Sequence, residues 1–263
     1  MGRLAGVEAS DWSWGALFFD MDNDGLRDLF IANGIFRDLT DQDYLQYVSS
    51  EQVLMSIMSG EEVDYAKLVE IIPSRPVKNH AYINQGNLTF KNDVNTGLLM
   101  PSFSNGSAYG DLDNDGDLDL VVSNVNMPSF IYENHTDKKE SGNYIQFNLK
   151  GTGKNTMAIG TQIKVNDGNS DFFLQQQPIR GFQSSMDLRP HLGLPSNSPV
   201  DIEITWPNGT VSYLDSINVN QILSINQTDI PKTKTLENKS TNSKELFKRL
   251  DSNLEFIHKE NLF

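Results

Sequence analysis

Nine aspartates fall in two short runs of one design: Asp20-Met21-Asp22-Asn23-Asp24-Gly25-Leu26-Arg27-Asp28 and Asp111-Leu112-Asp113-Asn114-Asp115-Gly116-Asp117-Leu118-Asp119. Both read Asp-x-Asp-x-Asp-Gly-x-x-Asp. In a tightly turning loop, carboxylates at positions 1, 3 and 5 converge on one point. Glycine at 6 permits the turn, and a backbone carbonyl at 7 with a carboxylate at 9 completes an oxygen cage. Such a cage suits a hard cation taking 6–8 oxygens, and calcium fits better than magnesium, which gives up its water reluctantly. Zinc or copper would call for the His or Cys that the loops lack. The expected ligands are therefore Asp20, Asp22, Asp24 and Asp28 around one Ca2+ and Asp111, Asp113, Asp115 and Asp119 around a second. Leu26 and Asp117 are expected to contribute only backbone carbonyls, so the Asp117 side chain should turn away. An EF-hand is excluded, because position 12 is Ile31 or Val122 rather than glutamate and the flanks read as strands.

The two loops belong to a larger duplication. At the offset that carries Asp20 onto Asp111, Ser13 matches Ser104, Gly15 matches Gly106 and Asn33 matches Asn124. Each loop is followed by Tyr-x-Asn, at Tyr82-Ile83-Asn84 and Tyr132-Glu133-Asn134. The spacing from Asp28 to Tyr82 exceeds that from Asp119 to Tyr132 by 41 residues, which places an insertion at about 38–78. There the apolar period changes to three and four through Tyr44, Tyr47, Val48, Val53, Leu54, Ile57 and Met58, predicting helices. Ser49 with Gln52 is expected to form a capping box, Gly60 a stop, and Pro73 and Pro76 the end of a helical decoration that the sheets do not need. Around the loops, Ala16–Phe19, Leu29–Ala32, Ala81–Ile83, Leu88–Phe90 and Leu120–Val122 read as short strands, with Gln85-Gly86-Asn87 as a turn. Trp206-Pro207-Asn208-Gly209 predicts a strand end and turn, and Ser184-Ser185 beside Arg180 a turn rather than an anion site.

The paired loops, Tyr-x-Asn and Phe90 resemble the FG-GAP/VCBS repeat, the calcium-binding blade of integrin-α-like β-propellers. From Asn143 onward, Asn143-Tyr144-Ile145, Leu149-Lys150-Gly151, Ile159–Val165, Arg180–Ser185 and Ile204–Gly209 resemble the ASPIC/UnbV domain, which follows such repeats in bacterial surface proteins and in cartilage acidic protein. His191-Leu192-Gly193-Leu194 and Thr161 depart from the usual pattern, with no expected bearing on the cation loops. The resemblance implies a mainly β fold. Blades of an incomplete propeller are expected in 1–142 and an ASPIC/UnbV domain in 143–228. A linker at 229–250 and the start of a further module at 251–263 follow. Because a closed propeller takes ~4–8 blades, the remaining blades are expected outside this sequence, leaving apolar blade surface exposed.

Composition bounds the function. The 263 residues carry a net charge of -14, which disfavours phosphate backbones; two Ca2+ would bring this only to -10. RNA binding is the least favoured reading. There is no cysteine, no stretch long and apolar enough to span a bilayer, and no signal-peptide core at the start, so an export signal is expected outside the sequence. No Gly-x-Ser-x-Gly, His-Glu-x-x-His or phosphate loop is present, and His80, His135, His191 and His258 are scattered. The implied protein is non-enzymatic, calcium-binding and secreted or cell-surface, with a protein or glycan ligand. A glycan-binding accessory subunit of a carbohydrate-processing system is the alternative.

Overall fold

A computed structural model describes residues 2–58, 65–136, 142–229 and 233–235. After a short helix α1 (Gly2–Ala5), strands β1 (Ser13–Phe19), β2 (Asp28–Asn33), β3 (His80–Asn84) and β4 (Phe90–Asn92) form an antiparallel four-stranded meander. β5 (Ser104–Gly110), β6 (Asp119–Asn124) and β7 (Phe130–Tyr132) form a second, three-stranded one. In β1 the buried residues Gly15, Leu17 and Phe19 alternate with exposed Trp14 and Phe18, the period-2 pattern of a strand with one covered face. β2 is buried throughout because both its faces are used. Phe30 and Ala32 meet Leu118, Leu120 and Val122 of the second unit, while Leu29 and Ile31 pack with Tyr82, Val7 and Phe90.

The duplication is also one of register. Phe19 faces Asp28 and Ser13 faces Asn33 in the first hairpin, with an irregularity between Ser13 and Ala16; Gly110 faces Asp119 and Ser104 faces Asn124 in the second, irregular between Ser104 and Ser107. The matched Ser and Asn positions are thus cross-strand partners at the open end of each hairpin, and a bulge there strengthens the local twist. The described residues contain two such blade-like sheets and no closed ring. Trp12, Trp14, Phe18 and Ile131 remain substantially exposed.

Among the described residues between β2 and β3 lie three helices, α2 (Gln42–Val48), α3 (Glu51–Met58) and α4 (Tyr65–Glu70). The neck of the insertion is closed by the Asp38 N–H donating to the Pro73 carbonyl at 3.0 Å. Of the expected capping box only the Ser49 side is described. Asp41 caps α2 by accepting from the Tyr44 N–H, whereas Ser49 ends α2, its hydroxyl donating to the Leu45 carbonyl at 2.7 Å. The side chain of Gln52 and the expected stop at Gly60 lie outside the described residues. Leu88 likewise belongs to the turn before β4 rather than to a strand, with a left-handed φ of 61°.

The rest of the chain packs as two sheets. One has the order β10 (Asp171–Gln175), β9 (Gln162–Asn166), β12 (Val200–Thr205), β13 (Thr210–Ile217), β15 (Thr233–Thr235); the other is β11 (His191–Leu194), β8 (Asn143–Lys150), β14 (Gln221–Asn226). β8 and β14 run parallel and the other pairs antiparallel. Ile145, Phe147 and Leu149 of β8 meet Ile163, Val165, Ile202 and Ile204, and Trp206 seals the core with its indole N–H on the Ser212 hydroxyl at 2.8 Å. Burying each large side chain here contributes about 1.5–3 kcal/mol. The Trp206–Gly209 turn is as expected, the Gly209 N–H closing on the Trp206 carbonyl. Residues expected in the linker instead supply β15, which pairs with β13 through Thr210, Val211 and Ser212. Residues 236–263, including the expected further module and His258, lie outside the described residues.

Candidate metal centre

Each acidic loop joins the first two strands of its sheet, and the two share a backbone path. Asn23 and Gly25 have φ of 57° and 90°; Asn114 and Gly116 have 65° and 98°. Left-handed backbone is cheap for glycine and tolerable for asparagine, so the Asn at position 4 recurs for the same reason as the Gly at 6. The turn gathers one oxygen each from Asp20, Asp22 and Asp28 within 4.8 Å of one another, and likewise from Asp111, Asp113 and Asp115. Either group of three could hold a metal ion.

The remaining expected ligands sit differently. The Asp24 carboxylate accepts from the Leu26 N–H at 2.7 Å, pinning the exposed loop tip, and lies outside the first group. Asp119 is outside the second, both of its oxygens engaged by the Leu112 and Asn134 N–H groups at 2.9 and 2.8 Å. Asp28 makes the equivalent pair of bonds, to the Met21 and Asn84 N–H groups, yet remains in its cluster. Position 9 is thus a clasp between the loop and the backbone of the Tyr-x-Asn segment, and the Asn side chain adds its own hold, Asn84 donating to the Arg27 carbonyl and Asn134 to the Leu118 carbonyl, which explains why that motif accompanies the acidic run. Leu26 is partly exposed, its backbone carbonyl the expected contribution. Asp117 lies outside the group of three, and its side chain is buried at 1% exposure beside Asp115.

The donor set suits a cation. One carboxylate oxygen of Asp22 and one of Asp111 are buried with no hydrogen-bond partner. A buried anionic oxygen left unpaired is costly, and a divalent cation is the counter-charge that these clusters call for. Burial, opposed by the Gly25 N–H and reinforced by Asp24, Asp28 and Asp22, pushes Asp20 up to about 7. Burial likewise raises Asp28 to about 6 and Asp115 to about 6, and lifts Asp24 and Asp111. Without a cation, then, these carboxylates bind more protons between pH 4 and 7 in the folded chain than in the unfolded one, outweighing His191, whose lowered value works the other way, and stability falls as pH rises through that window. In chelator, Tm should be higher at pH 5 than at pH 7.5, by on the order of 3 °C per kcal/mol of linkage. Saturating calcium should abolish or reverse this difference, because the cation displaces those protons. Scanning calorimetry at both pH values, with and without calcium, checks it.

The outer wall of both loops comes from the third unit, which the sequence did not reveal. Asn23 donates to the Gly116 carbonyl at 3.0 Å, joining one loop to the other. Its amide oxygen lies 2.8 Å from His191 Nε2, and His191 Nδ1 lies 3.3 Å from the Gln146 amide nitrogen, which also donates to Asp111 at 2.7 Å. Burial, with Arg189 adding repulsion, holds His191 down at about 3. The ring is therefore neutral: Nε2 donates to Asn23, and Nδ1 accepts from Gln146. Arg189 donates to the Asp111 carbonyl and to Asn114, and Tyr144 stacks on His191 while covering Gly116. Gly193 lies directly against Asp20 and Asn23. His191 and Gly193 thus belong to the setting of the acidic loops, contrary to the expectation that their stretch has no bearing on them. Asn23 and Asn114 were the visible signal, being repeated at position 4; Gln146, His191 and Arg189 stand far off in sequence and carried none.

Comparison with known families bears on both halves. The model described as ASPIC and UnbV matches residues 151–232, which cover β9 to β14. The FG-GAP-like repeat matches residues 68–122, from the end of the insertion through the second acidic loop. No curated protein matches the chain. The chain joins an FG-GAP-like repeat to an ASPIC and UnbV domain in one mainly β protein.

Proposed function

We propose that this chain is a calcium-binding recognition module of a secreted or cell-surface protein, in which two Ca2+ ions set the acidic loops and thereby the seat of the third unit. The observation that carries this is the pair of buried, unpartnered oxygens of Asp22 and Asp111, each inside a cluster of three carboxylates on an identical turn. Calcium is favoured over magnesium because clustered carboxylates and backbone carbonyls of a flexible loop suit 6–8 oxygens at ~2.3–2.6 Å. Asp20, Asp22 and Asp28 would hold one ion with the Leu26 carbonyl; Asp111, Asp113 and Asp115 the other with the Asp117 carbonyl. Asp24 and Asp119 would serve chiefly to hold the loops.

The module acts by binding, not catalysis, on a protein or glycan partner; His191 is consumed in the loop network. The charge of -14 speaks against nucleic acid. Among the described residues no helix is long and apolar enough to cross a membrane. Extracellular calcium modules bind with Kd ~10⁻⁴–10⁻³ M, so calcium at ten times Kd would stabilise each site by roughly 1.4 kcal/mol. A calcium titration of the intact chain tests the reading directly.

A further inference from the structure

Where the first blade meets the third unit, two clefts of about 320 and 400 Å³ flank the edge strand β10. Both include Arg27, Arg180, Phe173, Gln175 and Gln177 in their walls. The guanidinium groups are held by neutral partners: Arg27 donates to the Phe173 carbonyl at 2.9 Å, and Arg180 to the carbonyls of Gln177 and Gln175, both at 3.2 Å. Among the described residues neither forms an ion pair, whereas the neighbouring cations do, Lys164 with Asp171 and Arg189 with Asp187. The third carboxylate of the 320 Å³ cleft, Asp20, belongs to the first acidic loop.

Each guanidinium has five N–H donors, so both keep donors for a ligand while their backbone bonds fix them in place. With Lys164 and against the single carboxylate of Glu203, Arg27 and Arg180 keep the wall of the second cleft net basic in a chain of net charge -14. Tyr109 lies in the same wall; burial pushes its phenol up, and the charges of Arg180 and Arg27 oppose that rise. Phe173 is 66% exposed, offering an apolar ring face beside the exposed Gln175 and Gln177. Fixed guanidinium forks, carboxamides and an aromatic face together match a hydroxylated ring bearing a compact oxyanion. An acidic peptide adding as a strand is disfavoured, because Arg27 and Arg180 already cover the carbonyls of Phe173 and Gln175 along that edge.

We propose that the cleft spanned by Arg27 and Arg180 binds an anionic saccharide, its carboxylate or sulfate received by the two guanidinium groups. The cleft borders the first acidic loop, which supplies Arg27 and, in the wall, Asp20 and Gly25; Arg180 lies outside that loop, so a saccharide titration of its variants can fail while calcium binding, measured separately, still stands. The experiment is calorimetric titration of the calcium-saturated chain with a glucuronate-containing tetrasaccharide from hyaluronan, a sulfated heparin tetrasaccharide, neutral cellotetraose and an Asp/Glu-rich peptide. At least one anionic saccharide should bind, cellotetraose should not, and Arg180→Gln should weaken binding at least tenfold while keeping its calcium-induced rise in Tm. Arg180→Lys, which keeps the charge and loses the fork, should fall between. Which anionic saccharide binds identifies the oxyanion. Binding of neither, binding of the peptide alone, or binding unaltered in Arg180→Gln would overturn the proposal.

Discussion

Gly193→Ala should be among the most damaging single-atom additions available in this chain, because it strikes the contact between the two halves at the first acidic loop. A Cβ there would lie 2.1 Å from an Asp20 carboxylate oxygen and 2.6 and 2.8 Å from the Cα and carbonyl carbon of Asn23. Asp20 could rotate, but the Asn23 backbone cannot yield without moving the loop. Overpacking of this kind costs typically 1–3 kcal/mol, and more where backbone must shift. The displaced loop would also loosen the Asn23 bonds to Gly116 and His191, so calcium affinity should drop at the first site and, to a smaller degree, at the second. Gly168→Ala provides the contrast: no atom lies within 4 Å of its Cβ, and only a left-handed φ of 89° is strained, roughly 1 kcal/mol. Thermal melts and calcium titrations of both variants decide the matter; equal behaviour of the two would show that the β11 contact does not set the loop.

Asp119→Ala should cost more stability than Asp113→Ala although both remove a carboxylate from one acidic run. Asp119 satisfies the N–H groups of Leu112 and Asn134 at 2.9 and 2.8 Å and is 3% exposed. Its loss leaves two backbone donors without their acceptor, at ~1–3 kcal/mol for each that stays unpaired. Asp113 is exposed and should matter chiefly through its cation. Asp119→Ala should therefore lower Tm steeply even in chelator, whereas Asp113→Ala should lower it only when calcium is present. Asp28→Ala should do both, since Asp28 is at once clasp and member of its cluster. Asp117→Ala is not expected to be silent, because the side chain is buried. Melting curves with and without calcium separate these cases.

The acidic runs were legible because their chemistry is local: spacing, glycine placement and turn are all written within nine residues. The matched Ser13/Ser104 and Asn33/Asn124 were legible as a repeat, and the sheets give the reason, since each pair closes its hairpin at the same irregularity. The helical insertion followed from its change of period, though not its caps, because a serine can end one helix as readily as begin the next, as Ser49 does. The loop-to-loop network was hidden for a different reason. His191 and Gln146 reach Asn23 and Asp111 only after β8 and β11 have paired, through contacts 35 to 168 residues apart in sequence. No local pattern encodes such a contact. Scattered histidines therefore read as unremarkable, while one of them links the two acidic loops, to Asn23 directly and to Asp111 through Gln146. Arg180 shows the same limit: its turn was expected from the sequence, but its pairing with Arg27 across β10 exists only in the fold.

The most direct measurement is a calcium titration by calorimetry on the intact chain and on Asp22→Ala and Asp113→Ala, with magnesium as a comparison. Two calcium ions should bind to the intact chain and one to each variant, at Kd ~10⁻⁴–10⁻³ M, with magnesium weaker. No binding at millimolar calcium, or an equal diffuse loss in both variants with no change in stoichiometry, would contradict a pair of discrete calcium sites.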